Sequence, residues 1–125
     1  MLILRKSQLI DWTTFMTVLY DGRTAGTNAT LSLADSVANY ARIKVFFRTN
    51  DTDPDYGFTE VYSPNNKVFS TFVSHPTTDA TFEKITLWRS SGSTITHGTS
   101  VQNPNSGTVV VASYIYITRV EGWKF

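Results

Sequence analysis

Three aspartates at alternate positions, Asp51, Asp53 and Asp55, form the sharpest chemical pattern in this chain. Alternating carboxylates in a loop can direct several oxygens toward one hard cation, as calcium-binding loops do. The remaining positions disagree with such a loop, because Tyr56 stands where the helix-loop-helix calcium motif requires glycine and Pro54 stiffens the centre. The pattern therefore favours a solvated acidic loop, and we predict no metal site and no cofactor.

The residues that catalysis would need are scattered along the chain. His75 and His97 are its two imidazoles, and neither lies at a zinc-binding spacing or beside a nucleophile motif. Paired acids for glycoside cleavage would have to come from glutamates in three separate predicted strands: Glu60, Glu83 and Glu121. We therefore expect a protein without enzymatic activity.

Aromatic side chains give the stronger indication of a binding function. Trp88 alternates out of phase with Ile85 and Leu87, so it faces outward if those two residues face the core. Core or subunit packing is the alternative for each such ring, but flat rings beside polar groups suit saccharide or protein recognition. The same reasoning makes three further rings candidates for exposure: Phe46, Tyr56 and Tyr62. We predict a ligand-binding surface built from Trp88, Tyr56, Tyr62, Asp51, Asp53 and Asp55.

The distribution of proline indicates the fold class. All four prolines lie in polar gaps between runs rich in Thr, Val, Ile, Phe and Tyr, and none interrupts a run: Pro54, Pro64, Pro76 and Pro104. This is typical of an all-β domain, since proline cannot donate a hydrogen bond within a sheet. The runs predict about eight strands, at 13–20, 29–33, 41–49, 58–62, 67–73, 81–89, 94–101 and 108–120. An antiparallel, jelly-roll-like β-sandwich fits this spacing better than an open sheet.

Three segments carry more specific expectations. The segment 33–40 is ambiguous, and we expect a connecting turn or a short helix there. The run 41–49 alternates apolar and polar residues, which predicts a strand with one buried face. The closing run contains Tyr114-Ile115-Tyr116-Ile117, apolar on both faces, which predicts a central strand or a strand at a subunit contact.

Length and charge restrict the class of protein. The chain has 125 residues, a net charge of +1 and no cysteine, so it has neither disulfides nor thiolate metal sites. We expect one domain at 13–125, preceded by an apolar arm at 1–12 that packs on the domain or on a neighbouring subunit. Scattered Lys and Arg residues argue against nucleic acid as a partner. The apolar opening is too short to span a bilayer, so we expect a soluble protein without membrane insertion.

Two parts of the chain carry a family pattern. In the first, Trp12 precedes Leu19-Tyr20-Asp21-Gly22, then Ala29-Thr30-Leu31-Ser32-Leu33, then a long strand opened by Asn39-Tyr40. In the second, a final strand ends in the segment 114–122. Together they resemble the C-terminal domains of tail-fibre, baseplate and other minor structural proteins of phages and prophages.

The resemblance implies a protein at the surface of a virion, on a phage tail or capsid. Such a domain is commonly a homotrimer that contacts a cell-surface glycan or another virion protein, and an apolar arm, which is costly in water unless it packs on its own domain or a neighbour, independently hints at assembly. The shared motifs are structural and transfer no catalytic or binding residue. Three functions stay open: host attachment through a receptor or saccharide, a purely structural virion or head-fibre component, and a carbohydrate-binding module.

Overall fold

The computed structural model describes residues 15–22, 30–48, 57–76, 81–103, 109–111 and 115–125, with the backbone alone at 74–76, 81–83, 102–103 and 109–111. Within these residues the chain forms nine strands: β1 Met16–Asp21, β2 Thr30–Ser32, β3 Arg42–Arg48, β4 Gly57–Tyr62, β5 Lys67–Pro76, β6 Thr81–Ser91, β7 Thr94–Asn103, β8 Val109–Val111 and β9 Tyr116–Trp123. A short 3₁₀ helix, Val37–Asn39, lies between β2 and β3. The predicted arm at 1–12 lies outside the described residues.

The predicted all-β, antiparallel sandwich is confirmed. A four-stranded sheet has the order β1-β9-β3-β4, and a five-stranded sheet has the order β2-β7-β6-β5 with β8 also paired to β7. The first described strand thus pairs with the last, and β2 pairs with β7, while β3–β4 and β5–β6–β7 pair as neighbours in sequence. The strand count is nine because the closing run, predicted as one strand, contributes β8 to one sheet and β9 to the other.

The core lies between the two sheets and draws side chains from both. Ile43, Val45 and Phe47 of β3 are buried and alternate with half-buried residues, as predicted for that run. Strand β9 lies between β1 and β3, and Ile117 and Val120 are fully buried on it. Of the two predicted alternatives, a central strand or a strand at a subunit contact, the sheet order agrees with the first.

The ambiguous segment 33–40 contains the short 3₁₀ helix. The Ser36 hydroxyl accepts a hydrogen bond from the Ala38 backbone N–H at 3.2 Å, which caps the first turn. Val37 is fully buried, and its backbone N–H donates to the Gly92 carbonyl at 2.8 Å. The helix therefore anchors the connection from β2 to β3 against the turn between β6 and β7. Within the described part of the chain, no helix has the length and hydropathy to cross a bilayer.

Strand β6 has the opposite orientation to the one predicted. Trp88 is 1% exposed, whereas Leu87 is 41% exposed on the outer face. The indole N–H of Trp88 donates to the Thr71 hydroxyl at 3.0 Å inside the sandwich, so burial leaves this polar group satisfied. The prediction that Trp88 faces outward is therefore wrong, because hydrogen-bonded polar residues accompany it on the inner face.

Candidate ligand-binding surface

Tyr62 is the predicted ligand-binding residue that the structure places on an accessible surface. It ends β4, and its side chain is 64% exposed. Trp88 lies in the core, away from Tyr62. The predicted residues Asp51, Asp53, Asp55 and Tyr56 precede β4 in the chain and lie outside the described residues.

The outer face of β3 and β4 carries alternating aromatic and charged side chains. On β4, Phe58, Glu60 and Tyr62 share this face, because the strand turns Val61 toward the core. Each of them lies opposite a residue of β3 in the antiparallel register. We call this set the β3–β4 surface: Arg42, Lys44, Phe46, Phe58, Glu60 and Tyr62.

The carboxylate of Glu60 lies at the centre of the surface and is held from two sides. Arg42 Nη1 approaches Glu60 Oε1 at 2.9 Å, and the Tyr62 hydroxyl donates to Glu60 Oε2 at 3.0 Å. Arg42 is positioned in turn by the Phe125 carbonyl, which accepts from its Nε at 2.9 Å. The guanidinium also lies 4.9 Å from the ring centroid of Trp123. These contacts fix the orientation of the polar groups before any ligand arrives.

The other end of the surface is an aromatic pair beside a cation. Lys44 Nζ lies 3.9 Å from the ring centroid of Phe58 and 5.4 Å from that of Phe46. The two ring centroids are 5.8 Å apart. Phe58 stays 53% exposed despite these contacts, so part of the ring is available to a ligand.

Strand β9 extends the polar part of the face. Glu121 accepts hydrogen bonds from Arg119 Nε at 3.0 Å and from Trp123 Nε1 at 3.3 Å. Arg119 also lies 3.7 Å from the carboxylate of Asp21 on β1. All of these groups are half-buried or exposed, so the outer face of the four-stranded sheet is rich in charge.

Sequence reasoning found Tyr62 but missed its closest partners. The alternation of Phe58, Glu60 and Tyr62 was available as a signal, since residues two apart on a strand share a face. Arg42 could not have been placed beside Tyr62, because the register between β3 and β4 depends on the connection between them.

The β3–β4 surface combines the contacts that saccharide recognition uses. Aromatic rings pack against the apolar faces of a sugar, while a carboxylate and a guanidinium accept from and donate to its hydroxyl groups. Phe58 and Tyr62 are four residues apart on β4, which corresponds to roughly 13 Å along an extended strand. The surface therefore has the dimensions for an extended ligand rather than a single small ring.

Outside this surface, two basic side chains have pKa values shifted by burial. Burial lowers the pKa of Lys84, and burial together with the nearby Lys84 lowers the pKa of His97, so the surroundings disfavour the charged form of each group. Among the residues that the structure describes, no three His, Asp or Glu side chains come together as metal ligands would.

Two comparisons with known proteins found no match to this chain. A scan against protein-family models finds no family that matches the chain. A search of curated proteins likewise finds no similar sequence.

Proposed function

We propose that this chain is a non-enzymatic β-sandwich domain that binds saccharide through the β3–β4 surface and serves host attachment at the surface of a phage virion. The observation that carries the proposal is the exposed Tyr62 ring beside a Glu60 carboxylate held by Arg42. The rigid sheet supplies the scaffold for these groups. The resemblance to phage structural proteins supplies the biological setting.

Preorganisation is the first argument for saccharide binding. The Tyr62 hydroxyl is hydrogen-bonded to Glu60, so the exposed ring is restrained in the free protein. A restrained ring loses little conformational entropy when a ligand packs on it. Glu60 retains lone pairs that can accept from sugar hydroxyls, because a carboxylate has about four acceptor positions.

Multivalency is the second argument, and it explains how a shallow surface would serve attachment. An open sheet face buries only part of a sugar, so each site binds weakly. A homotrimer, which the resemblance implies, would present three such sites toward one cell surface. Effective concentration then raises the overall affinity without any change at the individual site.

The test is a glycan array probed with the intact chain and with Tyr62→Ala and Phe58→Ala variants. We expect each variant to bind at least about tenfold more weakly, as truncation of an exposed aromatic contact does. Phe72→Ala is the matched control, because Phe72 is also a partly exposed phenylalanine but lies on the five-stranded sheet.

The result also separates the alternative functions. Wild-type binding that Tyr62→Ala and Phe58→Ala leave unchanged would contradict the β3–β4 surface as the site. No binding to any glycan would contradict attachment through saccharide and favour a purely structural virion component. Binding by a chain that sediments as a monomer would favour a carbohydrate-binding module.

A further inference from the structure

A second pocket lies on the other sheet of the sandwich, where the pairing of β6 and β7 is irregular. Thr86 pairs with Ser100 and Trp88 pairs with His97, so the single residue Leu87 lies opposite two residues of β7. This two-against-one arrangement is a β-bulge, a feature that often adjoins functional sites. The cavity beside it, which we call the bulge pocket, measures about 410 Å³.

Gly98 allows the two strands to approach at the bulge. A Cβ atom at this position would lie 3.1 Å from the Leu87 carbonyl oxygen, closer than nearly all real contacts of that kind. The absent side chain also leaves open space at the edge of the pocket. The volume is that of a small-molecule site, for which the usual range is about 300 to 1,000 Å³.

The lining of the bulge pocket is apolar with a cation at one side. Val68 and Leu87 are 55% and 41% exposed, so both present apolar surface to the pocket. Arg89, two residues from Leu87 and on the same face, also lines the cavity and is exposed. No ion pair to Arg89 is found among the described residues, and its guanidinium is available to a ligand.

The electrostatics of the bulge pocket select the charge of a ligand. Its described lining residues include Arg89 and His97 but no carboxylate, and Lys84 adds positive charge close enough to act on His97. A positively charged ligand would therefore meet repulsion with no acid to offset it. An anion would form a charge-assisted pair with Arg89.

We propose that the bulge pocket binds a small amphipathic carboxylate, with its apolar body against Val68 and Leu87 and its carboxylate at Arg89. This inference is independent of saccharide binding on the β3–β4 surface, because the two sites lie on different sheets and share no residue. Either site can therefore fail its test without affecting the other.

The test compares three probes of equal chain length, hexanoate, 1-hexanol and hexylamine, by NMR titration of the isotope-labelled intact chain. We expect the amide signals of Leu87 and Gly98 to shift with hexanoate. We expect 1-hexanol to bind about fivefold to tenfold more weakly and hexylamine most weakly, in line with one solvent-accessible charged hydrogen bond. Shifts that are absent at the bulge, or equal for hexanoate and hexylamine, would overturn the proposal.

Variants locate the two parts of the interaction. Arg89→Gln should remove the advantage of hexanoate over 1-hexanol, and Arg89→Lys should retain part of it. Val68→Ser should weaken hexanoate and 1-hexanol alike, because it removes apolar contact. Arg119→Gln, an arginine on the opposite sheet, and Val18→Ser, an exposed valine there, are the matched controls. Retention of the full hexanoate advantage in Arg89→Gln would also overturn the proposal.

Discussion

Asp35 organises the connection between β2 and β3 through three hydrogen bonds. Its carboxylate accepts from the Tyr40 hydroxyl at 2.9 Å, from the Ser36 backbone N–H at 2.8 Å and from the Asn39 amide at 2.9 Å. The bond from Tyr40 is the largest cause that lowers the pKa of Asp35 below its ordinary value of 3.8, followed by the bond from Ser36. The ionised form is therefore the one that the folded chain stabilises.

This shift predicts a pH dependence of stability. Because the folded pKa lies below the unfolded one, the contribution of Asp35 is fully present above the unfolded value of about 3.8 and is lost as pH falls through the folded value. We expect Asp35→Asn to show a smaller decrease in melting temperature than wild type between about pH 5 and pH 2. Thermal unfolding followed by circular dichroism measures this difference.

The hydrogen bonds that lower the pKa of Asp35 differ in size, and this order gives an internal control for the prediction. Tyr40→Phe should reduce the pH dependence more than Asn39→Ala, since the bond from Tyr40 is the larger contribution. The reverse order would contradict the role given to Tyr40.

Gly122 is required by the close packing of Tyr40. A Cβ atom on this residue of β9 would lie 2.7 Å from Cδ1 of the Tyr40 ring, which no relaxed structure tolerates. We predict that Gly122→Ala lowers the free energy of unfolding by about 1 to 3 kcal/mol, the usual effect of overpacking a core. Urea denaturation measures the change.

Gly57→Ala is the matched control for Gly122→Ala. The nearest atom to its added Cβ is Phe47 Cζ at 3.7 Å, an ordinary contact. An equal loss of stability in both variants would show that backbone conformation, rather than contact with Tyr40, explains the effect.

Among the elements of the fold, β6 buries several polar side chains on the face that it turns toward the core. Thr86 and Ser90 are fully buried, and Lys84 is nearly so. The Thr86 hydroxyl lies 2.6 Å from the Ser100 hydroxyl on β7 and accepts from the Ile115 backbone N–H at 3.0 Å. This one side chain therefore connects the five-stranded sheet to the segment that leads into β9.

We predict that Thr86→Val destabilises the fold although it preserves shape. The backbone N–H of Ile115 would lose its buried partner, at a cost of about 1 to 3 kcal/mol for an unsatisfied group, whereas the Ser100 hydroxyl would keep the Ile85 carbonyl as acceptor at 3.4 Å. Thr86→Ser keeps the hydroxyl and should be closer to wild type in a urea denaturation series. A Thr86→Val variant as stable as Thr30→Val, a change on the exposed β2 position, would contradict this account.

Strand positions could be predicted from the sequence, but the orientation of β6 could not. Alternation in a strand states which residues share a face, and it leaves open which face is buried. On β6 the buried set contains Lys84, Thr86 and Ser90, which composition assigns to the surface. Their burial depends on partners from distant parts of the chain, such as Ser100 and the Pro64 carbonyl that Ser90 bonds.

For the candidate site, too, one residue could be predicted from the sequence, whereas its neighbours on the surface depend on the fold. Tyr62 was predicted because an exposed aromatic ring beside polar groups suits recognition of a ligand. In the structure Tyr62 lies beside Arg42 and Glu60, and the register of β3 and β4 is what brings Arg42 next to it. Asp51, Asp53, Asp55 and Tyr56 stay predictions, since they lie outside the described residues.

For the molecule as a whole, assembly is the property that decides between the proposed functions. We predict that sedimentation equilibrium at micromolar concentration gives three times the 14.0 kDa mass of the chain. Ile3→Ser combined with Leu4→Ser should shift the mass toward one copy if the arm at 1–12 packs on a neighbour, because the substitutions remove apolar contact. A wild-type chain that is purely monomeric would count against a virion fibre.

The central position of β9 governs how the molecule can be made. On the ribosome, β1, β3 and β4 emerge before β9. In the folded sheet β9 lies between β1 and β3, so these two strands cannot join the same sheet until β9 has been made. The four-stranded sheet must therefore close after β9 is available, and β9 is synthesised after the other eight strands that the structure describes. Such late, long-range pairing slows folding and leaves nascent strands exposed to aggregation. Expression at reduced temperature, or beside a chaperone that shields extended chains, should accordingly raise the yield of native protein.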